Sequence, residues 1–339
     1  MTHPRLSLAL DAFDPLPAGQ ILVLGARETD DLSDLPRAQL TLIQGFAPDH
    51  AALKARGFDV HSTLDALDPA VTFGSALIFL PRSKTQARAM IAEARARTQG
   101  PIWIDGAKTD GIDSILKDMR TAGETAPPVS KAHGKIFSAK PSGDLAQWLP
   151  AETSPAEGFV TRPGVFSEGK VDRGSQLLAA VLPPKLPSRV ADLGAGWGWL
   201  SAQILAVRGV EELHLIEADH TALDCARRNI TDPRAQFHWA DATTISFDHR
   251  FGAVVMNPPF HTTRDADPAL GGAFIRAAAK LLSLSGSLYM VANRHLPYET
   301  VLRSQFKEVE ELFAPQASGA RGPDGAFKLF RAAKPVIGR

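Results

Sequence analysis

The second half of the chain alternates short apolar runs with amphipathic stretches in a regular order. Runs near 188–193, 212–217, 251–256 and 286–292 have the length and apolar content of buried strands, and 235–240 reads as a further strand between them. Between them apolar residues recur at helical spacing, as in Leu200, Ile204 and Leu205 or Ala222, Cys225 and Ala226. Such alternation predicts a parallel sheet covered by helices on both faces. The tail departs from it: 306–313 and 326–333 read as two strands joined by a Gly-, Pro- and Ser-containing connection at 314–325, a hairpin in place of another crossover.

The first half carries a worn copy of the same plan. Ile21-Leu22-Val23-Leu24-Gly25-Ala26 parallels Val190-Ala191-Asp192-Leu193-Gly194-Ala195, and the run at 40–43 stands where a second strand belongs. Ala76-Leu77-Ile78-Phe79-Leu80-Pro81 parallels 254–258, and 101–105 parallels 287–291, so order is kept with modest changes in loop length. The predicted fold class is α/β with two tandem Rossmann-like domains, at 1–145 and 165–339. A linker at 146–164, marked by Pro150, Pro155 and Pro163, joins them.

Composition adds exclusions. A chain of 339 residues that is 44% hydrophobic can bury two ordinary cores, and its formal charge of zero argues against retention on nucleic acid by bulk positive charge. Cys225 is the only cysteine, which excludes an intrachain disulfide and a cysteine-rich metal site, so no metal is expected. Within a helical pattern it reads as a small buried apolar residue. The apolar patch at 6–10 is broken by Asp11 and Asp14 and does not read as a signal peptide, and no stretch approaches a membrane span. The expectation is a cytoplasmic monomer with no membrane association. Charge is uneven, however: residues 80–140 hold eleven Lys or Arg against six acids, and residues 1–79 hold five against ten. Arg82, Lys84 and Arg88 in the basic segment are candidates for phosphate contact, with a solvated helix face as the plainer alternative.

Chemistry gathers at the carboxyl ends of the predicted strands, where open α/β sheets bind ligands. The first run of the second half enters Asp192-Leu193-Gly194-Ala195-Gly196-Trp197-Gly198-Trp199, a strand, glycine turn and helix. A dinucleotide fingerprint would need glycine where Trp199 stands, which disfavours a nicotinamide dehydrogenase. Gly-x-Gly-x-Gly after an acid suits S-adenosylmethionine, whose amino-acid end needs a carboxylate near the turn. Glu217 ends the next strand about twenty residues on, the interval at which an acid can chelate ribose hydroxyls. Asp241 follows the third, placed to accept from an adenine amine. Singly, each acid is more often a solvated strand end or a helix cap. The fourth strand ends in Asn257-Pro258-Pro259-Phe260. An Asn side-chain oxygen and the stiffly held Pro258 carbonyl can both accept from an NH2 group, and Phe260 offers a face to a base that has left its stack. That combination points to methyl transfer onto an exocyclic amine. The first copy lacks it: Val23 stands in place of Asp192, Arg27 and Thr29 in place of Gly196 and Gly198, Gln44 in place of the ribose acid, and Leu80 in place of Asn257.

With these motifs in hand, the chain resembles the bacterial ribosomal RNA guanine-N2 methyltransferases of the small-subunit (RsmC) type and their large-subunit relatives, a class I S-adenosylmethionine-dependent family. The resemblance rests on Pro163-Gly164-Val165-Phe166-Ser167 with Asp172-Arg173-Gly174-Ser175-Gln176-Leu177-Leu178, on Asn257-Pro258-Pro259-Phe260-His261, and on Val291-Ala292-Asn293-Arg294-His295-Leu296-Pro297-Tyr298 with Phe327-Lys328-Leu329. It is specific over about 160–333. It implies a degenerate first domain and a catalytic second domain whose seven-stranded sheet has an antiparallel last strand. It also implies that Phe166 and Ser175 help close the cofactor pocket, that Pro259 and His261 lie toward the substrate, and that ribosomal RNA or a ribosomal subunit is the partner. The neutral charge and the long connection at 314–325 depart from the expected pattern. Adenine-N6 or protein-glutamine methylation uses the same Asn-Pro-Pro logic, and a non-catalytic RNA-binding assembly factor is the alternative outside enzymology.

Overall fold

The computed structural model describes residues 4–13, 16, 18–149, 151–259, 268–315 and 322–336. The chain divides into two compact units, one made of residues up to Glu152 with Arg162–Gly164, the other of Thr153–Thr161 with Val165 onward.

In the first unit the strands are β1 (Ile21–Leu24), β2 (Leu40–Ile43), β3 (Asp59–His61), β4 (Ser75–Phe79), β5 (Ile102–Ala107), β6 (Gly123–Thr125), β7 (Val129–Lys131) and β8 (Gly134–Pro141). Its helices are α1 (Pro4–Ala12), α2 (Ala47–Ala55), α3 (Lys84–Arg97) and α4 (Ile112–Ala122). The sheet order is β3-β2-β1-β4-β5-β8-β6, with β7 also on β8. The first five strands are parallel and β8 runs antiparallel to β5. The apolar patch at the start of the chain is α1, which buries Leu6 and Ala9 in the unit's core. Arg5 in that helix donates through Nε and Nη2 to both oxygens of buried Asp105 on β5, at 2.6 and 2.7 Å. This bidentate pair satisfies both buried charges, the condition for tolerating them in a core.

The second unit has strands β9 (Arg189–Leu193), β10 (Glu212–Glu217), β11 (Ala235–Trp239), β12 (Phe251–Met256), β13 (Leu282–Asn293), β14 (Phe306–Leu312) and β15 (Phe327–Pro335). Its helices are α5 (Arg173–Ala179), α6 (Trp199–Ala206), α7 (His220–Asn229), α8 (Pro268–Leu281) and α9 (Glu299–Gln305). The order is β11-β10-β9-β12-β13-β15-β14, with β15 antiparallel to both neighbours. The predicted seven-stranded sheet with an antiparallel last strand is therefore present, and the first unit repeats its order. Both faces of the centre are buried. Along β12, Val254 and Met256 join one core while Ala253 and Val255 join the other, which is why the strand reads as an unbroken apolar run. In this order β9 and β12 are neighbours, and the chain ends of both lie beside the point where the crossovers change direction.

The differences from the expected strands are local. β13 begins at Leu282 rather than 286, because α8 stops at Leu281 and the chain extends at once. β3, β6 and β7 are three residues each, largely polar, at or near a sheet edge, where burial does not impose an alternating pattern.

Candidate active site

The glycine turn leaves β9 with Gly194, Gly196 and Gly198 at φ of +75°, +56° and +89°. Gly194 and Ala195 donate their N–H groups to the Ile216 carbonyl, at 2.8 and 3.1 Å, which holds the turn against the end of β10. The two later glycines are required for different reasons. A Cβ at Gly198 would lie 2.8 Å from Ile230 Cδ1 and 3.3 Å from Ala226 Cβ, whereas one at Gly196 would project into open space. Gly198 serves packing of the turn against α7, and Gly196 leaves room for a ligand. Gly198→Ala is therefore expected to lower Tm by more than Gly196→Ala, since it adds overpacking of roughly 1–3 kcal/mol to the left-handed backbone penalty common to both. Gly196→Ala is expected to weaken cofactor binding by ~10-fold or more, read by calorimetry beside the melting curves; equal affinity in both variants would remove the ligand role of Gly196.

Two carboxylates lie beneath this turn. Asp192 is fully buried, its Oδ2 accepting from Ser201 Oγ at 2.6 Å, while Oδ1 is buried without a partner among the described residues. Burial, with a smaller contribution from the Glu217 charge, pushes its carboxyl up to about 7 against the Ser201 bond. Glu217 accepts from Gly196 N through Oε2 and from Asp219 N through Oε1, each at 2.8 Å. Burial pushes it to about 7 as well, with those bonds opposing. Both acids are raised mainly by burial, and the Glu217 charge adds to the shift at Asp192. Asp241 commits Oδ1 to the N–H and hydroxyl of Thr243, both at 2.7 Å, the geometry of a local turn that leaves Oδ2 without a partner among the described residues.

At the end of β12 the side chain of Asn257 donates through Nδ2 to Asp172 Oδ2 and Ser175 Oγ, both at 2.9 Å. Among the described residues its Oδ1 is buried without a partner. Pro258 is buried behind it and Pro259 is exposed, while Phe260 and His261 lie outside the described residues. Asp172, which caps α5 by accepting from Ser175 N at 2.8 Å, was not singled out as a site residue from the sequence. Its signals there are the helix-cap position ahead of Ser175 and its place in the motif that carries the resemblance, and neither reveals a partner 85 residues away. Ser175, expected at the cofactor, binds Asn257 here.

Phe166 is 61% exposed beside the turn, and its carbonyl accepts from Trp197 Nε1 at 3.0 Å. Asn229 is a second residue the sequence did not disclose: it exchanges hydrogen bonds with the Val160 backbone and donates to the Trp197 carbonyl, tying the segment before Phe166 to the glycine turn. Cys225 is buried in the Trp197 cluster, as expected of a small apolar residue.

In the first unit the corresponding strand ends are closed by their own side chains. Gln44 Nε2 donates to the Ala26 carbonyl at 2.6 Å and Gln44 Oε1 accepts from Phe46 N, while Leu80 is buried. Lys84 and Arg88 both pair with Asp118, at 3.0 and 2.7 Å, and Arg88 also stacks on Trp148. Arg82 is exposed and makes no ion pair among the described residues. Among those residues no group of three or more His, Cys, Asp or Glu could hold a metal ion, and no helix is long and apolar enough to cross a membrane.

A sheet of order 3-2-1-4-5-7-6 with one antiparallel strand, a glycine turn over paired acids and an Asn-Pro-Pro end on the fourth strand together define a class I methyltransferase, here preceded by a second copy of the fold. Residues 157–317 match the family model of the methyltransferase small domain. Along nearly its whole length the chain is similar to the ribosomal RNA small subunit methyltransferase C of Pseudomonas fluorescens, 29% identical over 93% of this chain and 94% of that protein. The protein of the same name from Pseudomonas aeruginosa is 29% identical over 84% of this chain and 88% of its own length. Among solved structures, the T. thermophilus 16S rRNA N2 G1207 methyltransferase (RsmC), in complex with AdoMet and guanosine, superposes with a TM-score of 0.78 at 22% identity, covering 98% of this chain and 92% of that one. That likeness establishes the two-domain fold, and the family resemblance read from the motifs is borne out.

Proposed function

We propose that this chain methylates the exocyclic N2 amine of a guanine in small-subunit ribosomal RNA, using S-adenosylmethionine. The cofactor supplies an electrophilic methyl group when bound. The residues present fit it: Gly196 leaves open space above the turn, and the buried, unpartnered oxygen of Asp192 beside Glu217 suits the cationic amino-acid and sulfonium end. Glu217 and Asp241 are proposed for ribose and adenine, and Phe166 for the open side of the pocket.

The observation that carries the reading is the Asn257 amide. Both its N–H bonds are engaged and its oxygen is buried with none, so the site offers an acceptor to something that brings an N–H. An arylamine is a poor nucleophile because its lone pair is delocalised into the ring. Accepting its N–H at Asn257 Oδ1 and the Pro258 carbonyl aims the nitrogen and favours the positive charge it gains on methylation. Loss of the surplus proton afterwards needs no strong base. A non-catalytic assembly factor would have no use for a buried orphan acceptor, which costs ~1–3 kcal/mol to retain. Guanine as the base and the small subunit as the partner are supported by the names of the relatives. Arg82 is proposed as a phosphate contact; Lys84 and Arg88, tied to Asp118, are better placed to hold α3 against α4. The first unit is proposed to be catalytically empty.

The test is incubation of the full chain and labelled cofactor with small-subunit ribosomal RNA and with assembled subunits, followed by nucleoside mass spectrometry. N2-methylguanosine is expected, with one cofactor bound per chain by calorimetry. Methyladenine or methylglutamine as the product would replace the guanine assignment, and two cofactors per chain would refute the empty first unit.

A further inference from the structure

Asp172 sits at the N-terminus of α5 and uses one oxygen, Oδ2, to accept both the Ser175 N–H at 2.8 Å and the Asn257 Nδ2 at 2.9 Å. Ser175 Oγ takes the other Asn257 N–H at 2.9 Å. The space around this contact is tight: a Cβ at Gly174 would come 3.0 Å from Asp172 Oδ2 and 3.2 Å from Phe327 Cε1. We infer that Asp172 is a positioning residue that fixes which end of the Asn257 amide faces the reacting group, and so makes the site select a hydrogen-bond donor. This deepens the reading of Asn257 as the amine acceptor and rests on it.

An amide can turn over about its terminal bond at little steric cost, because oxygen and NH2 are nearly the same size. A carboxylate cannot donate. Turned over, Asn257 would place its oxygen against Asp172 Oδ2 with no proton between them, and that orientation is excluded by repulsion and by loss of a charge-assisted bond. The orientation that remains puts Nδ2 toward Asp172 and leaves Oδ1 as the free atom, as found. Without Asp172 the amide could turn and offer N–H, which would welcome a ring nitrogen or a carbonyl oxygen in place of an amine. The negative charge behind Nδ2 also polarises the amide, adding electron density at Oδ1 where the attacking nitrogen becomes positive.

The variants that test this are D172S, D172N, N257A and the double D172S/N257A, all in the full chain with the methyl acceptor found for the wild type. Serine keeps α5 capped but is too short to hold both donors, whereas asparagine keeps an acceptor oxygen. D172S is expected to lower kcat by ~10- to 100-fold with cofactor Kd within about threefold, and D172N to recover most of that loss. D172S made in the N257A background is expected to change kcat by less than about threefold, since a residue acting through Asn257 has nothing left to act on. A wild-type kcat in D172S, or losses that simply multiply in the double variant, would overturn the assignment. If the wild type modifies an amine other than guanine, the guanine reading fails while this test proceeds unchanged on that amine. A readout independent of turnover is the Asn257 side-chain NH2 resonance, identified by its absence from N257A. Slow hydrogen exchange in the wild type and fast exchange in D172S is the expected pair, and equal exchange would overturn the clamp even if no acceptor were found.

Discussion

Asn257→Ala is expected to abolish most methyl transfer while sparing the cofactor. The side chain contributes nothing to the glycine turn or its acids, so cofactor affinity should stay within about threefold. The amine loses its principal acceptor and its aim, and misplacing a reacting group by about 1 Å alone can cost ~100-fold in rate. Single-turnover transfer beside calorimetry separates the two quantities. Asn257→Asp is expected to fare no better, because its carboxylate would face Asp172 without a donor between them, although it keeps an acceptor oxygen toward the substrate. Transfer near the wild-type rate in Asn257→Ala would remove the amine-orienting role.

The second large effect is on the paired acids, and it runs in opposite directions for stability and for binding. Asp192 and Glu217 stand at about 7 in the folded chain against ordinary values of 3.8 and 4.5. Over that interval the folded state holds more protons than the unfolded state, so stability falls as pH rises. Their contribution is complete below about pH 4 and is lost as pH rises through about 7. At about 1.4 kcal/mol per pKa unit, ionising buried Asp192 costs a few kcal/mol. Asp192→Asn should therefore raise the Tm of the free protein at pH 8 and yet weaken binding of S-adenosylmethionine by ~10-fold or more. Because a cation favours the ionised acids, wild-type affinity should increase from pH 5.5 to 8 and binding should release protons, seen as a buffer-dependent calorimetric enthalpy. Binding without proton release and independent of pH would show that these acids do not form the cation seat.

Part of this site could be read from local pattern. The glycine turn, the acids at 192 and 217 and Asn257 follow apolar runs, and burial on both faces of β9, β10 and β12 makes those runs unambiguous; Asp241 follows the edge strand β11, where Gln236 and His238 interrupt the apolar pattern. A strand end is a local property, so its last polar residue can be named before the fold is known. The duplicated first half was legible for the same reason, through β1, β2, β4 and β5. Its short polar strands β3, β6 and β7 were not, because a sheet edge leaves little hydrophobic record.

The order of buried strands and the residues at their carboxyl ends can be read along the chain, because hydrophobic periodicity and glycine spacing are set within one element and its turn. The orientation of those residues comes from contacts made across the fold. Asp172 meets Asn257 across 85 residues, and Arg5 meets Asp105 across 100. Asn229 ties Val160 to Trp197, Gln44 donates to the Ala26 carbonyl, and its counterpart Glu217 accepts from Gly196. These are directional bonds between groups brought together by sheet order, and a hydrogen bond depends on distance and angle rather than on periodicity along the chain.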